Sequence, residues 1–244
     1  MSLAVHILNF LYPPRCAVCE ANFGLDATRR VCDRCLSRME RLATPLCECC
    51  GGPLESIRTG ELRCAQCLKS PPVFARARAL ARYRPSDEDE RHTLPSLIRR
   101  HKYGLDQALG RALTEFLGPQ LPFTADDCDL VMPVPLHRGR LWWRGFNQAA
   151  LLAAEVARRL ERPLDLGTLV RSRATVSQTS RSRDERRRNV RGAFTVRRPH
   201  RVANRRILLV DDVMTTGATA DECARVLLAA GASRVEVFTL ARVL

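Results

Sequence analysis

Lysine is nearly missing from this chain of 244 residues: Lys69 and Lys102 stand alone, and arginine supplies the rest of the 40 positive side chains. No stretch approaches the roughly 18 consecutive apolar residues of a membrane-crossing helix, so no membrane span is expected. Leu3 to Tyr12 is apolar but short and has no basic residue before it, which argues against a secretory signal. Leu3, Ile7, Leu8 and Leu11 have helical spacing and predict a short docking helix instead. No Gly-rich loop ends in Gly-Lys-Ser/Thr, which excludes a Walker A nucleotide site. Cysteine is scarce after residue 70, where only Cys128 and Cys223 occur, and no internal repeat is evident outside the cysteine-rich part. Together these absences predict a cytoplasmic protein.

The net charge is +14, with 26 acidic side chains against the 40 basic ones. Such an excess points to a polyanionic partner, either nucleic acid or a phosphorylated substrate. An Arg-favouring, GC-rich genome is a second source of the same bias. The hydrophobic fraction of 45% supports a core large enough for one good-sized domain and a small one.

Nine of the 11 cysteines precede residue 70 and contain four C-x2-C pairs, at Cys16/Cys19, Cys32/Cys35, Cys47/Cys50 and Cys64/Cys67. A C-x2-C loop sets two thiolates on one side of a tight turn, within reach of one tetrahedral zinc ion. The spacing predicts two Cys₄ knuckles, with structural zinc supplying much of the folding energy of a segment too short for its own core. Four thiolates leave zinc no open position, so the role is structural. Two pairing schemes fit, sequential or cross-braced. A disulfide framework is the other reading, disfavoured by a cytosolic setting. Cys49 is surplus, and Gly51-Gly52 suits the turn after Cys50.

Ser70-Pro71-Pro72 ends this part, and the composition then changes. Ala75 to Tyr83 reads as a strand, Pro85 to Glu90 as an acidic loop, and Leu94 to Leu113 as two helical stretches broken near Gly104. His101, Lys102 and Tyr103 at that break read as a basic surface turn or as ligands. Asp129 to Leu136 is a buried strand leaving the sheet at Pro133-x-Pro135. Arg138, Arg140 and Arg144 follow its C-terminal edge, where open α/β sheets bind ligands, and guanidinium forks chelate phosphate oxygens. Trp142 and Trp143 suit stacking on a base or packing, with packing expected for at least one. Asn147 and Gln148 open an amphipathic helix to Leu160. From Arg181 to Arg191 six Arg face Asp184 and Glu185, so this segment is expected to be exposed and mobile. It suits a lid over a phosphate site, a track for a nucleic-acid backbone, or a solvated helix. Gly192 to Val196 and Val235 to Val243 read as strands.

The most informative stretch is Arg206 to Thr219, RILLVDDVMTTGAT. Ile207 to Val210 reads as a buried parallel strand, with Asp211 and Asp212 at its end. A turn of small and hydroxyl residues follows, then a helix with Ala220, Cys223, Ala224, Leu227 and Leu228 on one face. Free N–H groups of a first helical turn and the helix dipole make such a turn an anion cradle. Acids beside a phosphate repel it, so the two Asp need another partner, such as the hydroxyls of a sugar carrying it. The stretch resembles the 5-phosphoribosyl-1-pyrophosphate (PRPP) loop of type I phosphoribosyltransferases. That resemblance implies that Asp211 and Asp212 contact the ribose hydroxyls, and that Thr215, Thr216, Gly217, Ala218 and Thr219 hold the 5′-phosphate.

The whole chain, from the double C-x2-C module through PVPLH…RGFNQA, Q-x3-S-R…R-x2-N-x2-G-A-F and VDDVMTTGAT, resembles the ComF family. Pro133, Pro135, Arg144, Gly145, Phe146, Asn147, Gln148, Gln178, Arg187, Asn189, Gly192 and Phe194 carry the resemblance alongside the loop. It implies an α/β chain in two parts. Residues 1–72 would form a double zinc ribbon holding two structural Zn²⁺ ions. Residues 73–244 would form a type I phosphoribosyltransferase fold, a mostly parallel sheet flanked by helices. It further implies PRPP with Mg²⁺ as ligand, Asp211 and Asp212 as catalytic residues, and Arg138, Arg140 and Arg144 against the pyrophosphate. The implied setting is competence and DNA uptake, with single-stranded DNA and uptake-helicase or recombination proteins as partners. Two functions stay open: a phosphoribosyltransferase of unknown acceptor, or a non-catalytic module that binds PRPP, nucleotide or DNA.

Overall fold

The computed structural model describes residues 10, 13–23, 29–54, 62–84, 94–103, 108–119, 121–175 and 183–244. The expected N-terminal helix, the acidic loop, the break at Gly104 and Gln178 lie outside them.

A parallel sheet of four strands forms the centre, in the order β1 (Arg76–Tyr83), β6 (Arg234–Val243), β5 (Arg206–Met214), β2 (Leu130–Pro133). Strand β5 alternates its apolar residues between two covered faces. Leu208 and Val210 join a cluster with Leu97, Ile98, Phe116, Leu152 and Phe238. Ile207 and Leu209 join another with Met132, Val190, Phe194, Cys223 and Leu227. Burial on both faces explains why the strand is a continuous apolar run rather than an alternating one.

Two short helices, α1 (Asp33–Ser37) and α2 (Ala65–Lys69), belong to the cysteine-rich part. The first face of the sheet is covered by α3 (Leu94–Tyr103), α4 (Ala108–Glu115) and α6 (Gln148–Leu160). The second is covered by α8 (Ala218–Ala229) and an antiparallel pair, β3 (Leu169–Arg171) and β4 (Phe194–Val196). Helix α5 (Arg138–Arg144) follows β2, and α7 (Arg183–Val190) precedes β4.

The strand ends create a crevice. Strand β2 stops at Pro133, opposite Val210 of β5, while β5 runs on to Met214 paired only with β6. Pro135 has no N–H to offer a ladder, so the chain turns away here. Asp211 and Asp212 therefore lie within β5 rather than beyond its end, on a stretch whose β2-side edge is open.

The basic element departs from expectation. Arg183–Val190 is helical, Val190 is 1% exposed, and Arg187 donates from Nη1 to Ser70 Oγ at 3.1 Å. One apolar anchor and a tether to the cysteine-rich part dock a segment whose composition suggests mobility.

Candidate functional site

Cys16, Cys19, Cys32 and Cys35 form one tetrad and Cys47, Cys50, Cys64 and Cys67 the other, with the ligand atoms of each within 4.8 Å of one another. The sequential pairing is the one the fold builds. Sγ separations of 3.6 Å for Cys19–Cys32 and 3.7 Å for Cys50–Cys64 match the edge of about 3.8 Å of a tetrahedron with Zn–S near 2.3 Å. A disulfide would need about 2.05 Å. Cys32 N–H points at Cys16 Sγ and Cys64 N–H at Cys47 Sγ, both at 3.4 Å. Burial alone would raise Cys16 and Cys47, but backbone donors of this kind bring both thiols down to about 7. Burial and the neighbouring thiols push Cys35 and Cys67 up. Four thiols this close ionise together only around a cation, so both tetrads fit structural zinc. Elemental analysis of the purified chain should find two zinc ions per molecule, unchanged in Cys49→Ser. One or none in the wild type would refute the double centre.

Each knuckle is tied to the α/β part. Glu115 at the end of α4 accepts from the N–H groups of Arg30 and Val31, at 2.6 and 2.8 Å. The second knuckle meets β1, where Ala77 N–H donates to Cys49 O at 2.7 Å. Arg78 reaches the carbonyls of Cys47 and Glu48. Gly51 has φ +67°, and a Cβ there would overlap Ala77 O, so this contact requires glycine. Arg242 of β6, 9% exposed, donates to Cys50 O and lies 3.9 Å from Met214 Sδ. Burial raises the Cys50 thiol, and the neighbouring Arg242 guanidinium opposes that rise.

The main cavity, about 590 Å³, opens at the C-terminal ends of the strands. Asp211, Asp212, Thr215 and Thr219 line it, with Tyr83 from the end of β1 and Asn147 and Gln148 from the start of α6. Six cationic side chains, Arg99, Lys102, Arg140, Arg144, Arg171 and Arg186, line it against those two carboxylates. Asn147 caps α6 through Ala149 N–H at 3.1 Å, and its Nδ2 donates to Val134 O at 3.1 Å. Gln148 is 3% exposed; its Oε1 accepts from Arg144 Nη1 at 3.3 Å, and its Nε2 has no partner among the described residues.

Lys102 Nζ pairs with Asp212 Oδ2 at 2.9 Å. Burial works against the ammonium, but Asp212 and then Asp211 hold it above its ordinary value. Burial and then the Asp212 charge push the Asp211 carboxyl up to about 7. Arg140 donates to Thr175 O at 2.8 Å, and Arg171 donates to Thr175 Oγ1. Burial and the Arg140 charge depress Arg171. Arg206 and Arg76, by contrast, meet carboxylates, at 2.6 Å from Asp129 and 3.0 Å from Glu236. Arg140 and Arg171 instead share a neutral threonine, which leaves their charge for an anionic ligand.

The loop from Thr215 to Thr219 divides its contacts. Gly217, φ +81°, caps α8 in the left-handed region. Beneath it lies a small cavity of about 30 Å³ lined by Thr215, Gly217, Thr219 and Thr239, among others. The Thr239 hydroxyl is buried there without a partner among the described residues. Thr216 faces the other way, into a cavity of about 70 Å³ shared with Cys50, Cys64, Cys67, Arg187 and Arg242. The loop thus lies between the main cavity and the second knuckle.

Several expectations change. Arg140 and Arg144 reach the cavity, whereas Arg138 is exposed and does not line it. His101 is buried against Phe146, with ring centroids 4.7 Å apart, so it serves packing while its neighbour Lys102 serves the cavity. Trp142 and Trp143 are 88% and 55% exposed, contrary to the packing expected for one of them. Arg99 and Arg171 are additions from the fold. The one hint in the sequence is the helical spacing of Arg99 and Lys102, which puts both on one face of α3.

An acid pair and a hydroxyl-rich helix start at the C-terminal edge of a doubly covered parallel sheet define a phosphoribosyltransferase-type fold, here carrying two zinc-ribbon sites. The double zinc ribbon domain model matches residues 7–68 and the phosphoribosyl transferase domain model residues 147–244. The chain belongs to the ComF family. It is 35% identical to "DNA utilization protein YhgH" of Escherichia coli strain K12 over 243 residues, covering 95% of this chain and 98% of that protein. It is 30% identical to "Competence protein F" of Haemophilus influenzae, covering 97% of this chain and 100% of that protein. Among solved structures, adenine phosphoribosyltransferase from Leishmania tarentolae is 17% identical, with a TM-score of 0.33, covering 65% of this chain and 79% of that one. Among the described residues no helix is long and apolar enough to cross a membrane.

Proposed function

We propose that the chain binds PRPP with Mg²⁺ in the main cavity and transfers its phosphoribosyl group, in the service of handling single-stranded DNA during DNA uptake. The observation that carries this reading is the meeting of Asp211, Asp212, Thr215 and Thr219 with six cations in one crevice. Thr215, Gly217, Ala218 and Thr219 hold the 5′-phosphate at the start of α8, supported by its N–H groups and dipole, whereas Thr216, expected among them, faces the second knuckle and is left out. Asp211 and Asp212 accept hydrogen bonds from the ribose hydroxyls. Arg140, Arg144 and Arg171 take the pyrophosphate, and Arg138 has no part in this. Oxygen-only donors of this kind suit Mg²⁺, which would neutralise pyrophosphate charge when bound. As the C1–oxygen bond breaks, the electron pair leaves with pyrophosphate, and an acceptor nucleophile bonds to C1 in its place. Positive charge grows on the ribose during this exchange, where the two carboxylates stabilise it. DNA handling draws support from the names of the relatives.

A second reading is retention of PRPP or nucleotide without turnover. It is favoured by one observation: of the described residues lining the cavity, only Tyr83 is aromatic, so no base-stacking acceptor pocket is built there. Calorimetric titration of Mg–PRPP into the zinc-loaded wild type is expected to show micromolar binding that disappears in an Asp211→Asn/Asp212→Asn double variant. No binding by the folded wild type would overturn both readings of the cavity. Pyrophosphate release with an acceptor separates them from each other.

A further inference from the structure

We propose that the outward face of α5 is a base-stacking platform for single-stranded DNA. The inference rests on the DNA part of the function proposed above and gives it a location. The chain has two tryptophans, and they are adjacent on this helix. Trp142 is 88% exposed, Trp143 55% and the preceding Leu141 41%. Burying indoles is strongly favourable, so two neighbouring exposed ones call for a partner.

The charge around them selects that partner. Arg138 is exposed and lies one helical turn before Trp142, on the same side of the helix. Arg140 and Arg144 look the other way and line the main cavity. Flat π-faces beside an outward guanidinium group, on a chain of net charge +14, match a single strand: bases stack on the rings while a phosphate meets Arg138. A duplex hides its base faces and cannot use the rings in this way.

The helix is also held in place. His137 Nδ1 accepts from Gly139 N–H at 3.2 Å at its start. Gly145, φ 74°, donates to Leu141 O at its end. The backbone of His137 further bridges to Arg171 of β3. A strand stacked on Trp142 and Trp143 would therefore lie along a rigid helix whose opposite side lines the main cavity.

Because both tryptophans sit on α5, tryptophan fluorescence of the whole zinc-loaded chain reports on this face alone. An oligo-dT of about 20 nucleotides is expected to quench it, whereas a duplex of equal length quenches little. Trp142→Ala should weaken oligo-dT binding about tenfold or more, and Trp142→Phe should retain most of it. Arg138→Ala should lower the slope of log affinity against log salt by about 0.7. Calorimetric Mg–PRPP binding should be unchanged in Trp142→Ala, which separates this face from the cavity. If fluorescently labelled oligo-dT binds without quenching and Trp142→Ala binds it equally, the platform is refuted while DNA handling stands. Absence of any oligo-dT binding refutes both. Quenching by anionic vesicles alone, or self-association lost in Trp142→Ala, assigns the face to a membrane or a second copy and overturns the proposal.

Discussion

Replacing Asp211 by Asn should make the ligand-free protein more stable while removing PRPP binding. Burial and the Asp212 charge hold the Asp211 carboxyl up to about 7, against an ordinary value of 3.8. A carboxyl raised in the folded state favours folding fully below its unfolded value and loses that contribution as pH rises through about 7. At roughly pH 8 the ionised Asp211 is therefore a liability. The shift corresponds to about 4 kcal/mol at roughly 1.36 kcal/mol per unit. Asp211 is partly open to the cavity, so screening reduces this to something on the order of 2 kcal/mol. For a chain of this size that is a rise in melting temperature of about 4–8 °C. At about pH 5 wild-type Asp211 is already protonated and the difference should vanish. Lys102→Met should act in the opposite sense. It removes the cation 2.9 Å from Asp212 and leaves two carboxylates facing each other. A loss of about 3 kcal/mol at roughly pH 8, shrinking toward pH 5, is expected. Thermal melts of both variants at the two pH values test this. A destabilising Asp211→Asn under the alkaline condition would mean that the acid pair is not strained in the free protein. Stability given up at a ligand site is the usual mark of a group placed for binding rather than for folding.

Loss of the second zinc centre should impair PRPP binding, and loss of the first should not. The second knuckle holds β1 through Cys49 O and Arg78, and holds Arg242 through Cys50 O. Arg242 touches Met214 at the end of β5, and Thr216 and Gly217 share a cavity with Cys50, Cys64 and Cys67. Zinc-dependent knuckles generally unfold without metal. In Cys67→Ser, Arg242 would lose its anchor and the loop its support on that side. Mg–PRPP affinity is expected to fall about tenfold, worth about 1.4 kcal/mol. Cys35→Ser empties a centre tied to α4 through Glu115, away from the loop, and should leave PRPP affinity within about twofold. Calorimetry on the two variants, each checked for one remaining zinc, decides the matter. Equal losses would refute a specific brace between the second knuckle and the loop.

Both predictions depend on residues of very different legibility. The four C-x2-C pairs and VDDVMTTGAT are readable because their chemistry is local: a turn presents two thiolates, and a strand–turn–helix presents its own N–H groups. Asn147 is readable as a helix start for the same reason. The role of Lys102 is not, since its type and place suit a surface turn equally well. It reaches Asp212 only after α3 packs on the sheet face formed by Leu208 and Val210. Arg171 comes from a two-stranded ribbon, and Arg186 from a helix docked by Val190. Arg138, Arg140 and Arg144 share one residue type, and the rotation of α5 selects two for the cavity and turns one outward. Composition likewise suggests a mobile basic segment, which one buried valine and one bond to Ser70 dock.

Ligand chemistry belongs to the chain read residue by residue: thiolates in tetrads, acids followed by a hydroxyl loop at a helix start, and an excess of guanidinium charge. These are properties of near neighbours, where spacing sets which atoms meet. Folding alone settles which knuckle abuts the loop, which cations face the acid pair, and that both tryptophans remain outside. The cavity draws on the ends of β1, β5 and β6 and the chain just after β2, together with β3, α3, α5, α6, α7 and the start of α8. Such convergence follows from strand order and helix packing over long separations, and no local pattern encodes it.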